Sequence, residues 1–282
     1  MTAIERRVTA RDGVRLFVAD RGPRDGAGPP VLCLPGLARS GRDFDELATR
    51  LAGAGRRVVC PDLRGRGRSQ RADWRSYVPE IYLDDLRQIV AALGLGRFVA
   101  VGTSLGGLLG MALALSMPAA LAGLVVNDVG PDVNPEGRAR ILAYVGEDRP
   151  QPDWDAATAE LKRLMPGLAL ASEADWRRAT ERTFRLGDDG QLHFDWDPAI
   201  VRPLRGNADP GDLWRLWRAV AELPVLLIRG QRSDVLSEAT FARMVAAKPE
   251  ATTLTVPGVG HAPTLDEPIC REAIDDFLRR RG

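Results

Sequence analysis

The apolar residues of this 282-residue chain follow two different spacings, and the alternation between them predicts its elements. Residues 4–9 and 14–20 read as two strands joined by a turn at Asp12-Gly13. "VLCLPG", 31–36, is a short unbroken apolar run, the signature of a strand buried on both faces. Ser40 with Asp43 has the form of a capping box, and Phe44, Leu47, Ala48, Leu51 and Ala52 then follow helical spacing. "RRVVCPD" predicts the next buried strand, ending near Cys60. Residues 79–93 predict a helix, closed by Gly94 and Gly96. "RFVAVG", 97–102, reads as a strand, 104–116 as a helix stopped by Pro118, and "LAGLVVND", 121–128, as another strand.

The alternation breaks near residue 130. From there to about 220 helical signals are separated by Pro, Gly and Asp, and no apolar strand run occurs. Asp153 is placed to cap a helix carrying Trp154, Leu161, Leu164 and Met165. Ser172 with Asp175 is placed to cap another, carrying Trp176 and Phe184. Asp209-Pro210 leads into "GDLWRLWRAV", where Leu213, Leu216, Trp217 and Val220 share a face. "LPVLLIRG", 223–230, restores the strand pattern, followed by a helix near 237–247, the strand "TTLTV" at 252–256 and a helix near 268–280. Short apolar strands alternating with helices predict a parallel sheet covered on both faces. The chain is therefore read as an α/β core, 1–130 and 221–282, interrupted by a helical insertion at 131–220.

Composition narrows the function classes. The net charge is +1, with 39 basic and 38 acidic residues, so there is no electrostatic footprint for nucleic acid or an anionic membrane. Cys33, Cys60 and Cys270 fit no metal site, and the first two fall inside apolar strands as small hydrophobes. "MTAIERRVTARDG" has no apolar signal-like core, and no run approaches the roughly 18 apolar residues of a membrane span. A soluble cytoplasmic protein acting on a small molecule is the expectation.

One junction carries chemistry. Gly102-Thr103-Ser104-Leu105-Gly106 matches G-x-S-x-G directly between a strand and a helix. So sharp a turn needs small flanking residues and pushes the serine hydroxyl into the open above a helix N-terminus. No phosphate-cradling glycine motif accompanies it. A serine nucleophile needs a base and a group to orient that base. Of two histidines, His193 lies in the insertion, and His261 follows the last strand in "TVPGVGHAPTLDEP". Two acids compete for the third role. Asp234 follows the strand at 225–229 and is favoured, because it gives the chain order Ser, Asp, His; Asp128, at the end of "LVVND", is the alternative. The backbone amides of Leu105 and of Leu37, in the tight "LPGLARSG" turn, are placed to meet an oxyanion.

In "LPGLARSGRDF", "PDLRGRGRS", "VGTSLGGLLG", "RGQRSD" and "VGHAPTLDEP" the chain resembles the α/β-hydrolase fold enzymes, from about residue 30 to the end. The resemblance implies an eight-stranded, mostly parallel sheet flanked by helices, with a helical cap inserted after strand six. It gives Ser104 the role of nucleophile, His261 that of general acid/base and Asp234 that of its orienter. It implies no metal and no organic cofactor. The serine nucleophile departs from dehalogenases and epoxide hydrolases, which attack with a carboxylate.

The expected activity is hydrolysis of a small ester or lactone through an acyl-enzyme. The alternatives are hydrolysis of a carbon–carbon bond in a β-diketone or ring-cleavage product, haloperoxidase-like perhydrolysis without a cofactor, and a catalytically silent small-ligand receptor. Trp154, Trp176, Phe184, Trp214 and Trp217 are candidates to roof the substrate pocket.

Overall fold

The computed structural model describes residues 2–205 and 212–281. Its main sheet is built from β1 (Ile4–Thr9), β2 (Arg15–Arg21), β3 (Val31–Leu34), β4 (Val58–Pro61), β5 (Phe98–Thr103), β6 (Leu121–Asn127), β9 (Val225–Gly230) and β10 (Thr252–Val256). Their lateral order is β1-β2-β4-β3-β5-β6-β9-β10. β2 runs antiparallel to β1 and β4, and the remaining neighbours pair in parallel. Parallel pairing puts the carboxyl ends of β3, β5, β6, β9 and β10 along one edge, which is where the candidate chemistry collects.

Period-2 geometry explains the unbroken apolar runs. Leu32 and Leu34 of β3 and Phe98 and Ala100 of β5 face one apolar layer. Val31, Cys33, Val99 and Val101, one position along, face the other. Both sides of the strands are covered, so a polar residue has no place in their middles. The helices α1 (Asp45–Gly53), α2 (Pro79–Ala92), α3 (Leu105–Ser116), α8 (Glu238–Ala247) and α9 (Pro268–Arg279) supply that cover. Cys33, Cys60 and Cys270 are buried free thiols, as their apolar settings imply.

Between β6 and β9 lie α4 (Pro135–Val145), α5 (Trp154–Leu164), α6 (Glu173–Thr183), the hairpin strands β7 (Phe184–Leu186) and β8 (Leu192–Phe194), and α7 (Trp214–Ala219). Asp153 caps α5 through the amides of Asp155 and Ala156, and Ser172 with Asp175 closes the capping box of α6. Three features depart from the sequence reading. The hairpin escaped notice because each strand is three residues long. The helix α4 escaped because Pro, Glu, Gly and Arg dominate its first turns. Ser40 and Asp43 form no capping box: a short 3₁₀ turn starts there instead, and Asp43 gives both oxygens to Arg39. Asp209-Pro210 lies outside the described residues. No helix among the described residues is long and apolar enough to cross a membrane.

α4 sits unusually close to the core. A Cβ at Gly137 would come within 2.1 Å of the Asp234 carbonyl oxygen, so only glycine admits the approach. The amide of Asn134 donates to the Val235 carbonyl at 3.0 Å. The loop after β9 is thus bonded to this helix.

Candidate active site

The turn from β5 into α3 is as tight as its glycines permit. A Cβ at Gly102 would meet the Gly106 carbonyl oxygen at 2.2 Å, and one at Gly106 would meet the Leu34 carbonyl oxygen at 1.9 Å. Ser104, held between them, has φ of 53°, a left-handed conformation rare outside glycine. The surroundings over-determine it: its amide donates to the Asn127 carbonyl at 2.9 Å, and its own carbonyl accepts from Gly107 at 2.8 Å.

The exposed serine oxygen has a partner. Ser104 Oγ lies 3.0 Å from His261 Nε2. The other ring nitrogen, Nδ1, lies 2.8 Å from Asp128 Oδ2. Asp128 is fully buried, and its second oxygen accepts from the Gly230 amide at 2.8 Å. A carboxylate is acceptor only, so the ring's Nδ1 donates to it and Nε2 is left as acceptor for the serine proton.

The structure does not bring the acid favoured by chain order to the ring. Asp234 does not bond His261. Its two oxygens accept from Arg140 Nε and Nη2 at 2.6 and 2.9 Å. Partial burial works against the charge on Asp234, but the Arg140 bonds outweigh it and hold its carboxyl below the usual range. The lateral strand order gives the reason. β6 lies directly beside β5, whereas β9 lies one strand further away. Asp128 takes the Gly230 amide at the very end of β9, and α4 holds the loop beyond it. The backbone cooperates, since Asp128 adopts φ of 57°, a conformation that aspartate tolerates better than most residues.

Asn127 braces the same group. Its side-chain amide donates to Thr103 Oγ1 at 3.0 Å and to the Pro263 carbonyl at 2.8 Å, joining the serine turn to the histidine loop. "LVVND" therefore supplies two adjacent residues to the site, of which the sequence reading weighed only the second.

Among the described residues, neither the Leu37 amide nor the Leu105 amide donates to another protein atom. The Leu37 carbonyl is held away by Arg66 Nε at 2.8 Å. Arg66 is 1% exposed; its Nη1 donates to the Arg64 carbonyl and the Tyr82 hydroxyl, and its guanidinium lies over the Tyr82 ring at 4.8 Å.

A cavity of about 250 Å³ opens over Ser104 and His261. Leu37, Ile141, Tyr144, Met165, Leu168, Leu170 and Pro263 give it apolar surface. Five guanidiniums and four carboxylates also line it. Arg39 pairs with Asp43 at 2.6 Å, Arg178 with Asp175, Arg182 with Glu46, and Arg271 with Asp266 at 3.6 Å. Burial and the nearby Glu46 charge raise the Asp266 carboxyl to about 6.

The five aromatic candidates do not line this cavity. Trp217 is buried and donates to the Met244 carbonyl. Trp214 donates to Asp132 and lies under Arg243. Phe184 packs on Phe194, while Arg177 covers Trp154 and Lys162 covers Trp176. All five hold the inserted segment together or to the core. The residues that do reach the cavity from α4 carry no sequence signal, because the apolar positions of that helix crowd into 141–145 instead of recurring at helical spacing. His193, also in the insertion, lies between Asp148 at 2.7 Å and Asp189 at 3.0 Å.

Among known proteins, the chain is 38% identical over 257 residues to the 3-hydroxybutyrate-oligomer hydrolase of Cupriavidus necator, covering 86% of each. It is 28% identical over 255 residues to the 2-(acetamidomethylene)succinate hydrolase of Mesorhizobium japonicum, covering 90% of this chain and 89% of that one. The crystal structure of an alpha/beta hydrolase from Novosphingobium aromaticivorans superposes with a TM-score of 0.92 at 45% identity over 99% of both chains. The family described as the alpha/beta hydrolase family matches residues 31–271, so this chain belongs to it and is a hydrolase.

Proposed function

We propose that this hydrolase cleaves a small carboxylic ester or lactone, with Ser104 as nucleophile, His261 as general base and acid, and Asp128 as the group that orients the imidazole. The observation that carries the reading is the continuous bonding from Ser104 Oγ through both nitrogens of His261 to the buried Asp128. The similarity to a hydrolase of 3-hydroxybutyrate oligomers, which are joined by ester bonds, supports the ester class.

The steps follow from the geometry. Ser104 Oγ attacks the carbonyl carbon while its proton moves to His261 Nε2. Asp128 stabilises the imidazolium that forms. The carbonyl oxygen becomes an oxyanion, and the free amides of Leu37 and Leu105 receive it; one such donor is worth about a hundredfold or more in rate. Collapse breaks the ester C–O bond, and the leaving alkoxide takes the proton from Nε2. Water then attacks the acyl-serine, giving its proton to the same nitrogen, and Ser104 is released with the acid product. The inserted segment, 131–220, acts as the cap that bounds the acyl or alcohol pocket.

The test is substitution of the two reacting groups. Ser104→Ala and His261→Ala each lower hydrolysis of 4-nitrophenyl butyrate by about a thousandfold or more, with an unchanged circular dichroism spectrum. Near-normal turnover by either purified variant overturns the proposal.

A further inference from the structure

The cavity holds two hydrogen-bond donors that the reaction above leaves idle. Tyr144 is 9% exposed and lines the cavity, yet among the described residues its hydroxyl has no hydrogen-bond partner. Its ring is set edge-on against Trp196, with centroids 6.5 Å apart. The hydroxyl keeps surface open to the cavity, so a ligand bound there can take its hydrogen bond. One helical turn earlier on α4 stands Arg140, on the same face. Asp234 occupies its Nε and Nη2, and Nη1 has no protein partner among the described residues. Arg39 lies within electrostatic reach of the same phenol and keeps its charge despite burial, because Asp43 is bonded to it.

Among the described residues, the groups that α4 leaves unbonded at the cavity are the Tyr144 phenol and Arg140 Nη1. Around the cavity Asp43, Asp175 and Glu46 hydrogen-bond to Arg39, Arg178 and Arg182, and Asp266 Oδ1 lies 3.6 Å from Arg271. A phenol O–H beside a guanidinium N–H favours an ionised oxygen acceptor over a neutral one. We infer that Arg140 and Tyr144 form a seat for a free carboxylate carried by the substrate, separate from the ester group that Ser104 attacks. This substrate class rests on the ester-hydrolase reading. Arg140 and Tyr144 act as specificity residues: they fix the far end of an ester of a dicarboxylic or similarly acidic molecule and so place its carbonyl at Ser104.

Two methyl esters of equal chain length, monomethyl glutarate and methyl pentanoate, test this by titration of released acid. The intact protein favours monomethyl glutarate by at least tenfold in kcat/KM, mainly through KM. Tyr144→Phe, and Arg140→Gln combined with Asp234→Asn to leave no unpaired charge, each remove most of that preference. An intact protein without the preference, or variants that lose equally on both esters, overturns the seat. Calorimetry separates the two readings. Glutarate binds the Ser104→Ala protein and binds it at least tenfold more weakly once Tyr144→Phe is added. Binding without turnover of either ester supports the seat and removes the ester-hydrolase reading. Turnover of both esters without glutarate binding removes the seat and leaves the hydrolase reading standing.

Discussion

Asp128 Oδ2 lies 2.8 Å from His261 Nδ1, across 133 positions of sequence, and no other carboxylate bonds that ring among the described residues. Asp234, the acid that chain order favours, is instead the anchor of Arg140 on α4. Asp128→Asn keeps the shape but lets the residue donate as well as accept, so the histidine is no longer held in the tautomer that receives the serine proton. It is expected to lower kcat by about a thousandfold to ten-thousandfold. Asp234→Asn is expected to cost less than tenfold and, at a pair that is one-third or more exposed, no more than about 1 kcal/mol of stability. Steady-state kinetics on the two purified variants, with urea unfolding alongside, checks both. The opposite ranking would return Asp234 to the catalytic role.

Arg66 touches no substrate, but it holds the carbonyl of Leu37 and thereby the direction of the Leu37 amide. Lysine keeps the charge and loses the planar fork that reaches Leu37, Arg64 and Tyr82 together. Arg66→Lys is expected to lower kcat about tenfold or more with little change in KM, since an oxyanion donor acts mainly in the transition state. A purely structural role would instead lower the melting temperature and the active fraction while leaving kcat per active site unchanged. Active-site titration with a serine-directed organophosphate separates these outcomes.

His193 gives a pH signature distant from the reaction. Hydrogen bonds to Asp148 and Asp189 raise its pKa above the ordinary value of 6.5. The folded chain therefore binds the proton more tightly than the unfolded one. The added stability is complete below pH 6.5 and is lost as the pH rises through the raised folded value. The melting temperature of the intact protein is expected to fall over that interval relative to His193→Gln. Parallel curves for the two proteins would show that the pair of aspartates contributes nothing.

Much of this protein is written locally. The glycines at 102 and 106 leave no room for a side chain, so the turn and the exposed Ser104 follow from five consecutive residues. The period-2 apolar runs are buried on both faces and could form little else. The place of His261, just past the last strand, also needed only the order of elements.

What the sequence left open is decided sideways, across the sheet. Asp128 and Asp234 both stand at strand ends, and no local pattern separates them. The adjacency of β6 to β5 does so, together with the Gly230 amide and an arginine 94 positions from Asp234. The same holds for the pocket. Large aromatic side chains are conspicuous in sequence, but their burial is satisfied by packing the insertion, where they meet Arg177, Lys162, Phe194 and Met244. The cavity goes to α4, a helix whose apolar residues are bunched at its end, because Gly137 lets it approach the core and Arg140 holds it there. Hydrophobic spacing determines which segments become strands and helices. Which polar groups then meet depends on contacts between segments far apart in the chain, and those exist only once the sheet has formed.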